Sequence, residues 1–350
     1  MSEANHVLKA ALDKVLDAVH LDESEAGDVM RALTDDVQPA LAAAFLTALR
    51  CKGEQPQEIR GFANAMRALA IRAPLPANLP AVDIVGTGGD GSGSVNISTG
   101  SALLAAASGL TVVKHGNRSV SSKSGSADVL ETLGVTLPGT ADDAVSTLAT
   151  YGFTFLFAPY FHPAMKTVAP IRQAMRIRTV FNILGPLTNP MRPPFGVIGA
   201  YSKPMAHLMA HALSGMDIER VFVVHGEPGW DEATPVGPFV LYDVRPGSVT
   251  EEIRDPLDYR ITRCTADDLA GGDAQFNAEA LSKVLRGQDG GPHLDALVLG
   301  AALALEVTGT TQSFRASMSH AREAINAGRG ADLLDRLLAS GTTDVGADAE

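Results

Sequence analysis

Cysteine is nearly absent from the 350-residue chain: Cys51 and Cys264 have neither a partner motif nor metal-ligand spacing, so neither a disulfide framework nor a zinc site is written into it. Net positive charge is absent too. The formal balance of −12 argues against a general nucleic-acid or anionic-membrane surface, so an anionic ligand would have to be met by a focused site. The longest apolar stretch, "ALLAAASGL" running into "TVV", is too short and too interrupted to span a bilayer, and reads as a buried helix followed by a strand. The N-terminal "MSEANHVLKAALDKV" carries charges where a signal peptide would need its apolar core, so the expected address is the cytoplasm. No internal repeat and no low-complexity segment is visible. Aromatics are only 5% and charged residues 19%, the balance of an Ala/Gly/Leu-rich α/β protein.

A hydrophobic content of 45% over this length supports a large core and more than one domain. Residues 4 to about 72 look helical throughout, with Val15, Leu16 and Val19, then Leu41, Phe45 and Leu49, at helical spacing. The proline-rich "RAPLPANLPAV" cannot continue a helix and marks a boundary. Beyond it, "AVDIVGTGGD" reads as strand and glycine loop, "STGSALLAAASG" as helix, "LTVVKHGN" as strand and loop, and "GSADVLETLG" as helix. Strand, helix and strand in such short order make a βαβ unit and a mainly parallel sheet. "FTFLFA", "GVIGAY", "RVFVVHG" and "FVLYDV" are further strands.

Glycine is costly to fix, so "GTGGDGSG" is kept where a turn needs positive φ or a ligand must touch the backbone. Ser98 and Thr99 stand just ahead of a helix, whose free amides with those of the loop would form an anion site. In "KHGNRSVSSKSGSADVLE", Lys114, Arg118 and Lys123 sit among small hydroxyl residues and again precede a helix. Two such cradles side by side suit a diphosphate. Asp231 and Glu232, in a loop after an apolar strand, read either as a solvated acidic pair or as ligands of neighbouring Mg²⁺ ions.

In their order along the chain, "GTGGD", "NIST", "KHGNR", "SGSADVLE", "HPAMK", "RTVFNILGPLTNP", "VVHG", "DE" and "GGDAQFNA" resemble the anthranilate phosphoribosyltransferases of tryptophan biosynthesis over residues 86 to about 280. The related pyrimidine nucleoside phosphorylases spell the glycine loop and the Lys/Ser motif differently. The resemblance implies a small all-helical domain over 1–75, with a helical contribution from about 165–190, and a large α/β domain over 80–350 with a mainly parallel central sheet. It also implies a homodimer formed through the helical domain, and an active site in the cleft between domains.

Carried onto this chain, the family's phosphoribosyl diphosphate site comprises Gly86, Gly89, Asp90, Ser94, Asn96, Ile97, Ser98, Thr99, Lys114, His115, Gly116, Asn117, Arg118, Ser119, Val120, Ser121, Ser122 and Ser126, with Lys114 as the catalytic cation. Ser98, Asp231 and Glu232 fall on its magnesium ligands, for two ions with the diphosphate substrate. The anthranilate side comprises Gly86, Asn117, His162, Arg172 and Pro186, with Arg172 gripping the carboxylate. Nitrogen attacks C1 of the ribose as diphosphate leaves, so stabilisation of the leaving group matters most and no catalytic base is required. Three positions depart from the family's usual residues: Arg176 for glycine, Trp230 for leucine and Gly300 for asparagine. Arg176, four residues after Arg172, is expected beside it on a helix.

Overall fold

The computed structural model describes residues 2–77, 79–119 and 123–339. Four helices open it: α1 (Glu3–Leu16), α2 (Glu23–Leu33), α3 (Pro39–Lys52) and α4 (Pro56–Leu69). Their starts follow local chemistry. The Ser2 side chain accepts from Asn5 N, Asp22 and Glu25 form a reciprocal capping box, and α3 and α4 begin with proline, whose missing N–H costs nothing there. A buried ion pair, Lys52 to Glu58 at 2.9 Å, ties α3 to α4, and the second Glu58 oxygen accepts from Leu21 N. The helical expectation holds for this region, but Leu16 and Val19 are 66% and 48% exposed. α1 ends at Leu16, and Ala18 at φ 58° turns the chain before Val19.

The remainder runs β1 (Ala81–Gly86), α5 (Ile97–Ala107), β2 (Thr111–Gly116), α6 (Ser126–Leu133), α7 (Ala141–Tyr151), β3 (Phe153–Phe157), α8 (Ala158–Phe161), α9 (Met165–Met175), α10 (Phe181–Leu184), β4 (Phe195–Gly199), α11 (Lys203–Leu213), β5 (Arg220–Gly226), β6 (Phe239–Arg245) and β7 (Ser248–Arg254), then α12 (Ala274–Leu285), α13 (Pro292–Val307), α14 (Phe314–Asn326) and α15 (Arg329–Ala339). The sheet order is β3-β2-β1-β4-β5-β6-β7, parallel from β3 to β5 and antiparallel at β6 and β7. The expected strands are present. β7 is an addition to them: "SVTEEIR" lies mostly exposed at the sheet's edge and lacks the apolar alternation that marks a half-buried strand.

The period of two along β5 sends Phe222 and Val224 into a core with α5 and α13, and Val221 and Val223 into a second core with α1 to α4 and α9 to α11. That second core holds Val168, Ile171, Phe181 and Leu184 beside Phe45, Ile59 and Phe62, so residues from the 165–190 segment pack with the first four helices. Helices α5 and α13 approach closely through glycines. A Cβ on Gly100 would lie 2.6 Å from Leu297, and one on Gly300 would collide with the Ser101 side chain. Gly300 is therefore fixed by its neighbour across the helix pair, where a larger residue has no room. Gly300→Ala is expected to destabilise the fold by roughly 1–3 kcal/mol in denaturant unfolding, the cost of overpacking a filled core. Turnover per folded molecule should stay unchanged.

Candidate active site

Strands β1, β2, β4 and β5 each end in glycine: Gly86, Gly116, Gly199 and Gly226. Three of these ends lie directly under the loop that carries the acidic pair. A Cβ on Gly86 would overlap the Asp231 carboxylate, one on Gly199 the Asp231 carbonyl, and one on Gly226 the Glu232 carbonyl. The loop after β5 thus folds back across the strand ends, at the point where the chain leaves β1 for β2 on one side while β4 lies on the other. Open α/β sheets bind ligands in such crevices. Asp231 is buried, so the pair is not a solvated loop feature.

Buried Asp231 and part-buried Glu232 make three contacts. Asp231 Oδ2 accepts from Gly88 N at 2.5 Å, Asp231 N donates to Asp90 Oδ2 at 3.4 Å, and Glu232 Oε1 accepts from Ser98 N at 3.0 Å. Thr99 N and Gly100 N are bonded to Asn96 O, so the anion at the start of α5 in this structure is the protein's own Glu232. Burial, reinforced by Asp90, pushes the Asp231 carboxyl up to about 7. Burial and then Asp231 push Glu232 well above the usual carboxylate range. Such a cluster carries more negative than positive groups. Its one ammonium, Lys114, is 1% exposed and donates to Ile84 O at 2.5 Å and Ser98 Oγ at 3.4 Å. Lys114 therefore sits beneath the strand ends and not on the open face of its loop. Burial lowers its pKa, and the charges of Asp83, Glu232 and Asp231 oppose that shift.

Among the described residues no three acidic, His or Cys side chains converge as a closed metal cage. Carboxylate and hydroxyl oxygens from Asp231, Glu232 and Ser98 nonetheless fit a hard cation that fills its shell with water and substrate phosphate.

Beside this cluster, Asp83 supports the second loop from below. Its Oδ1 accepts from His115 N at 3.2 Å and its Oδ2 from Asn189 Nδ2 at 2.9 Å, while Asn189 also donates to Val113 O. Burial raises Asp83 to about 6. The "LTNP" asparagine is thus a support for "KHGN", which motif spacing alone did not reveal. Asn117 Oδ1 accepts from Arg118 N, and Ser126 Oγ donates to Asn117 O at 3.2 Å. Arg118 points outward: it pairs with Asp128 at 3.1 Å and Glu131 at 2.6 Å, beside a groove of about 590 Å³ that Ser119 and Lys123 also line. Asp128 Oδ2 accepts from Ser119 N and Gly125 N, holding two points of the loop. Val120, Ser121 and Ser122 lie outside the described residues.

The "NIST" segment has a support of its own. Ser94 pairs with Ala270, Val95 N donates to Leu269 O and Gly271 N to Gly93 O. Buried Asn277 donates to Asn96 Oδ1 at 2.8 Å. The "GGDAQFNA" motif is therefore the brace behind the glycine loop. Ile97 and Thr99 are 1% and 0% exposed, so the Ile97 side chain serves packing, and the amides of both residues are already bonded, to Val95 O and Asn96 O. Trp230 fills the same pocket with Val95, Ile97 and Leu269.

On the other side of the site, Arg172 lies in the last turn of α9 with its guanidinium 5.2 Å from the Phe181 ring centre. Among the described residues its guanidinium has neither hydrogen bond nor ion pair, and burial alone lowers its pKa. Arg176 is not stacked one turn along. It closes α9 at φ 51°, its N–H bonded to Arg172 O, in the left-handed conformation that glycine adopts most freely. Pro186 is buried in the turn after α10, and the rings of His115 and His162 are 5.1 Å apart.

Comparison with known proteins fits this geometry. The helical bundle domain of the glycosyl transferase family matches residues 9–70, and the family's a/b domain matches 78–331. The anthranilate phosphoribosyltransferase of Chlamydia felis is 40% identical over 334 residues, which cover 95% of this chain and 96% of that one. The enzyme of Desulforudis audaxviator is 43% identical over 333 residues, with 95% and 96% covered. The chain belongs to the anthranilate phosphoribosyltransferase family. The crystal structure of the Thermus thermophilus member superposes with a TM-score of 0.88 at 42% identity, covering 95% of this chain and 99% of that one. The Saccharomyces cerevisiae member, solved in complex with PRPP and Mg, superposes at 0.87 with 27% identity, covering 97% and 99%. The family's reaction is this chain's: the phosphoribosyl group of 5-phosphoribosyl 1-diphosphate passes to the amino group of anthranilate, giving N-(5-phosphoribosyl)anthranilate and diphosphate, in tryptophan biosynthesis.

The histidine pair ties stability to pH. Burial holds His162 down to about 4 and His115 to about 3, so the folded state keeps both neutral where the unfolded chain, near 6.5, takes up protons. Their contribution is fully present above pH 6.5 and is lost as pH falls towards 4. Against His162→Gln, which cannot titrate, the wild type should lose roughly 2 kcal/mol of unfolding free energy between pH 7 and pH 5. Denaturant titrations of both proteins at the two pH values check this. Equal losses would show that His162 is charged in the native state.

Proposed function

We propose that the diphosphate of the sugar substrate lies over the ends of β1 and β2, held by the glycine loop from Gly86 to Thr99 and by the loop from Lys114 to Ser126. The observation that carries this reading is the pair of buried Asp231 and part-buried Glu232, folded over the ends of β1, β4 and β5 with both carboxyls raised and the buried Lys114 ammonium beside them. Proteins rarely retain acids in such a position unless a cation visits. Asp231, Glu232 and Ser98 would hold magnesium, two ions being taken up with the diphosphate. When bound, magnesium supplies positive charge to the departing diphosphate oxygens. Lys114 holds the Ser98 hydroxyl in place and supplies a fixed charge behind it.

The amine substrate occupies the neighbouring channel beside Asn117, His162 and Pro186, with its carboxylate on Arg172. An unpaired, part-buried guanidinium is what a planar carboxylate requires, because the pair forms two parallel hydrogen bonds. Held in line with C1, the unprotonated amino nitrogen forms the C–N bond as the C1–oxygen bond to diphosphate breaks, without a base to activate it, and the proton then shed by the nitrogen passes to water.

The domain division is read as 1–75 with about 165–190 against 80–350, and the chain as a homodimer through its helical domain. The dimer is supported by an uncharged outer face of α3, where Ala40, Ala44, Thr47 and Cys51 are exposed, and by exposed Leu16 and Val19. Among the described residues no helix is long and apolar enough to cross a membrane.

Two variants test the two half-sites. Asp231→Asn keeps an acceptor for Gly88 N while removing a charge that burial disfavours. Calorimetry should show Mg²⁺-dependent phosphoribosyl diphosphate binding weakened at least about tenfold, the scale of one lost charge-assisted contact, while the thermal midpoint at pH 8 is not lowered. Arg172→Ala should raise the Michaelis constant for anthranilate by an amount equal to roughly 2–5 kcal/mol, with phosphoribosyl diphosphate binding near native. Native anthranilate kinetics in that variant would put the carboxylate elsewhere.

A further inference from the structure

Arg178 lies six residues beyond Arg172 and eight before Pro186, on the segment that borders the amine channel, yet its contacts belong to the other half of the site. Its Nη2 donates to the carbonyl oxygen of Gly89 in the glycine loop. Its guanidinium carbon lies 4.4 Å from the ring centre of Tyr201, just beyond β4. Gly89 adopts φ +73°, and a Cβ there would be only 3.7 Å from the guanidinium, so the loop passes directly beneath it. The Arg178 carbonyl in turn accepts from Arg50 Nη1 of α3 at 2.8 Å. Tyr201 is itself tied to the loop, since its N–H donates to Thr87 Oγ1 at 3.2 Å. One residue thus touches the helical domain, the glycine loop and the end of β4.

We propose that Arg178 is a positioning residue that straps the helical domain to the diphosphate loop, so that the pose of the loop depends on the seating of α3 and of the amine-side segment. The inference rests on the reading that the glycine loop receives the diphosphate. Glycine restrains its own backbone least of all residues, and four glycines of this loop, Gly88, Gly89, Gly91 and Gly93, have positive φ, so an outside partner helps the loop hold one shape. A planar donor fixed by stacking loses less freedom on bonding than a flexible ammonium would.

The test separates a strap from a local contact. Removing the guanidinium by Arg178→Ala should raise the calorimetric Kd for Mg²⁺·phosphoribosyl diphosphate, measured without anthranilate, roughly tenfold, as for one lost charge-assisted hydrogen bond. The anthranilate Michaelis constant at saturating phosphoribosyl diphosphate should stay native. Arg178→Lys should recover part of the loss, since it still donates but cannot lie along Tyr201. Arg50 touches no proposed substrate position, yet Arg50→Ala should shift the same Kd in the same direction by roughly two- to threefold. The Arg50→Ala, Arg178→Ala double variant should match Arg178→Ala alone, because both cut the same connection. Native binding by Arg178→Ala, or by Arg50→Ala while Arg178→Ala is impaired, would overturn the strap. Undiminished binding in Asp231→Asn would instead overturn the diphosphate reading beneath it.

Discussion

The acidic loop after β5 lies on the sheet's open end at a distance that admits no side chain beneath it. Gly86, Gly199 and Gly226 leave the strand ends bare, and into that space come the Asp231 carboxylate and the carbonyls of residues 231 and 232. Close approach brings desolvation, and desolvation raises both acids. The surrounding contacts follow from this placement. Glu232 reaches the first turn of α5, Asp231 takes the Gly88 amide, and Lys114 is drawn under the strand ends as the available positive charge. The protein keeps an electrostatically unfavourable cluster at its centre, and the two large cores on either face of the sheet carry the stability that makes this tolerable.

What the sequence made legible were the groups whose neighbours are close in the chain. Strand, glycine loop and helix follow one another in "AVDIVGTGGD" and "STGSALLAAAS", so periodicity and turn chemistry sufficed to put Gly86 to Thr99 at the end of a parallel strand. "KHGNR" could be located in the same way. The side chains that hold these loops were not legible, because each arrives from far along the chain: Asn189 beneath His115, Asn277 behind Asn96, Arg178 over Gly89. A motif such as "GGDAQFNA" announces membership of a family without announcing that one of its asparagines braces another loop. Direction was equally hidden. Lys114 was expected to face the ligand and Arg176 to stand beside Arg172, whereas burial among carboxylates turns the first inward and a left-handed backbone turns the second away.

The two departures at Arg176 and Gly300 show how a local steric condition decides which residues a position can hold. At 176 the condition is a positive φ, which arginine meets at some cost and glycine at almost none. At 300 it is the proximity of Ser101 across two packed helices, which leaves space for hydrogen alone. Neither concerns ligand chemistry, so substitutions at these positions report on the frame around the cleft and not on the reacting groups.

Trp230 is the sole tryptophan of the chain; it immediately precedes Asp231, and its side chain is buried against Val95 and Ile97 of the glycine loop. An indole emits according to the polarity and rigidity of its surroundings. The protein therefore carries a single built-in chromophore at the joint between its acidic loop and its diphosphate loop, free of background from any other indole. Its emission is an optical record of how those two loops sit against each other, in a molecule that needs no label attached.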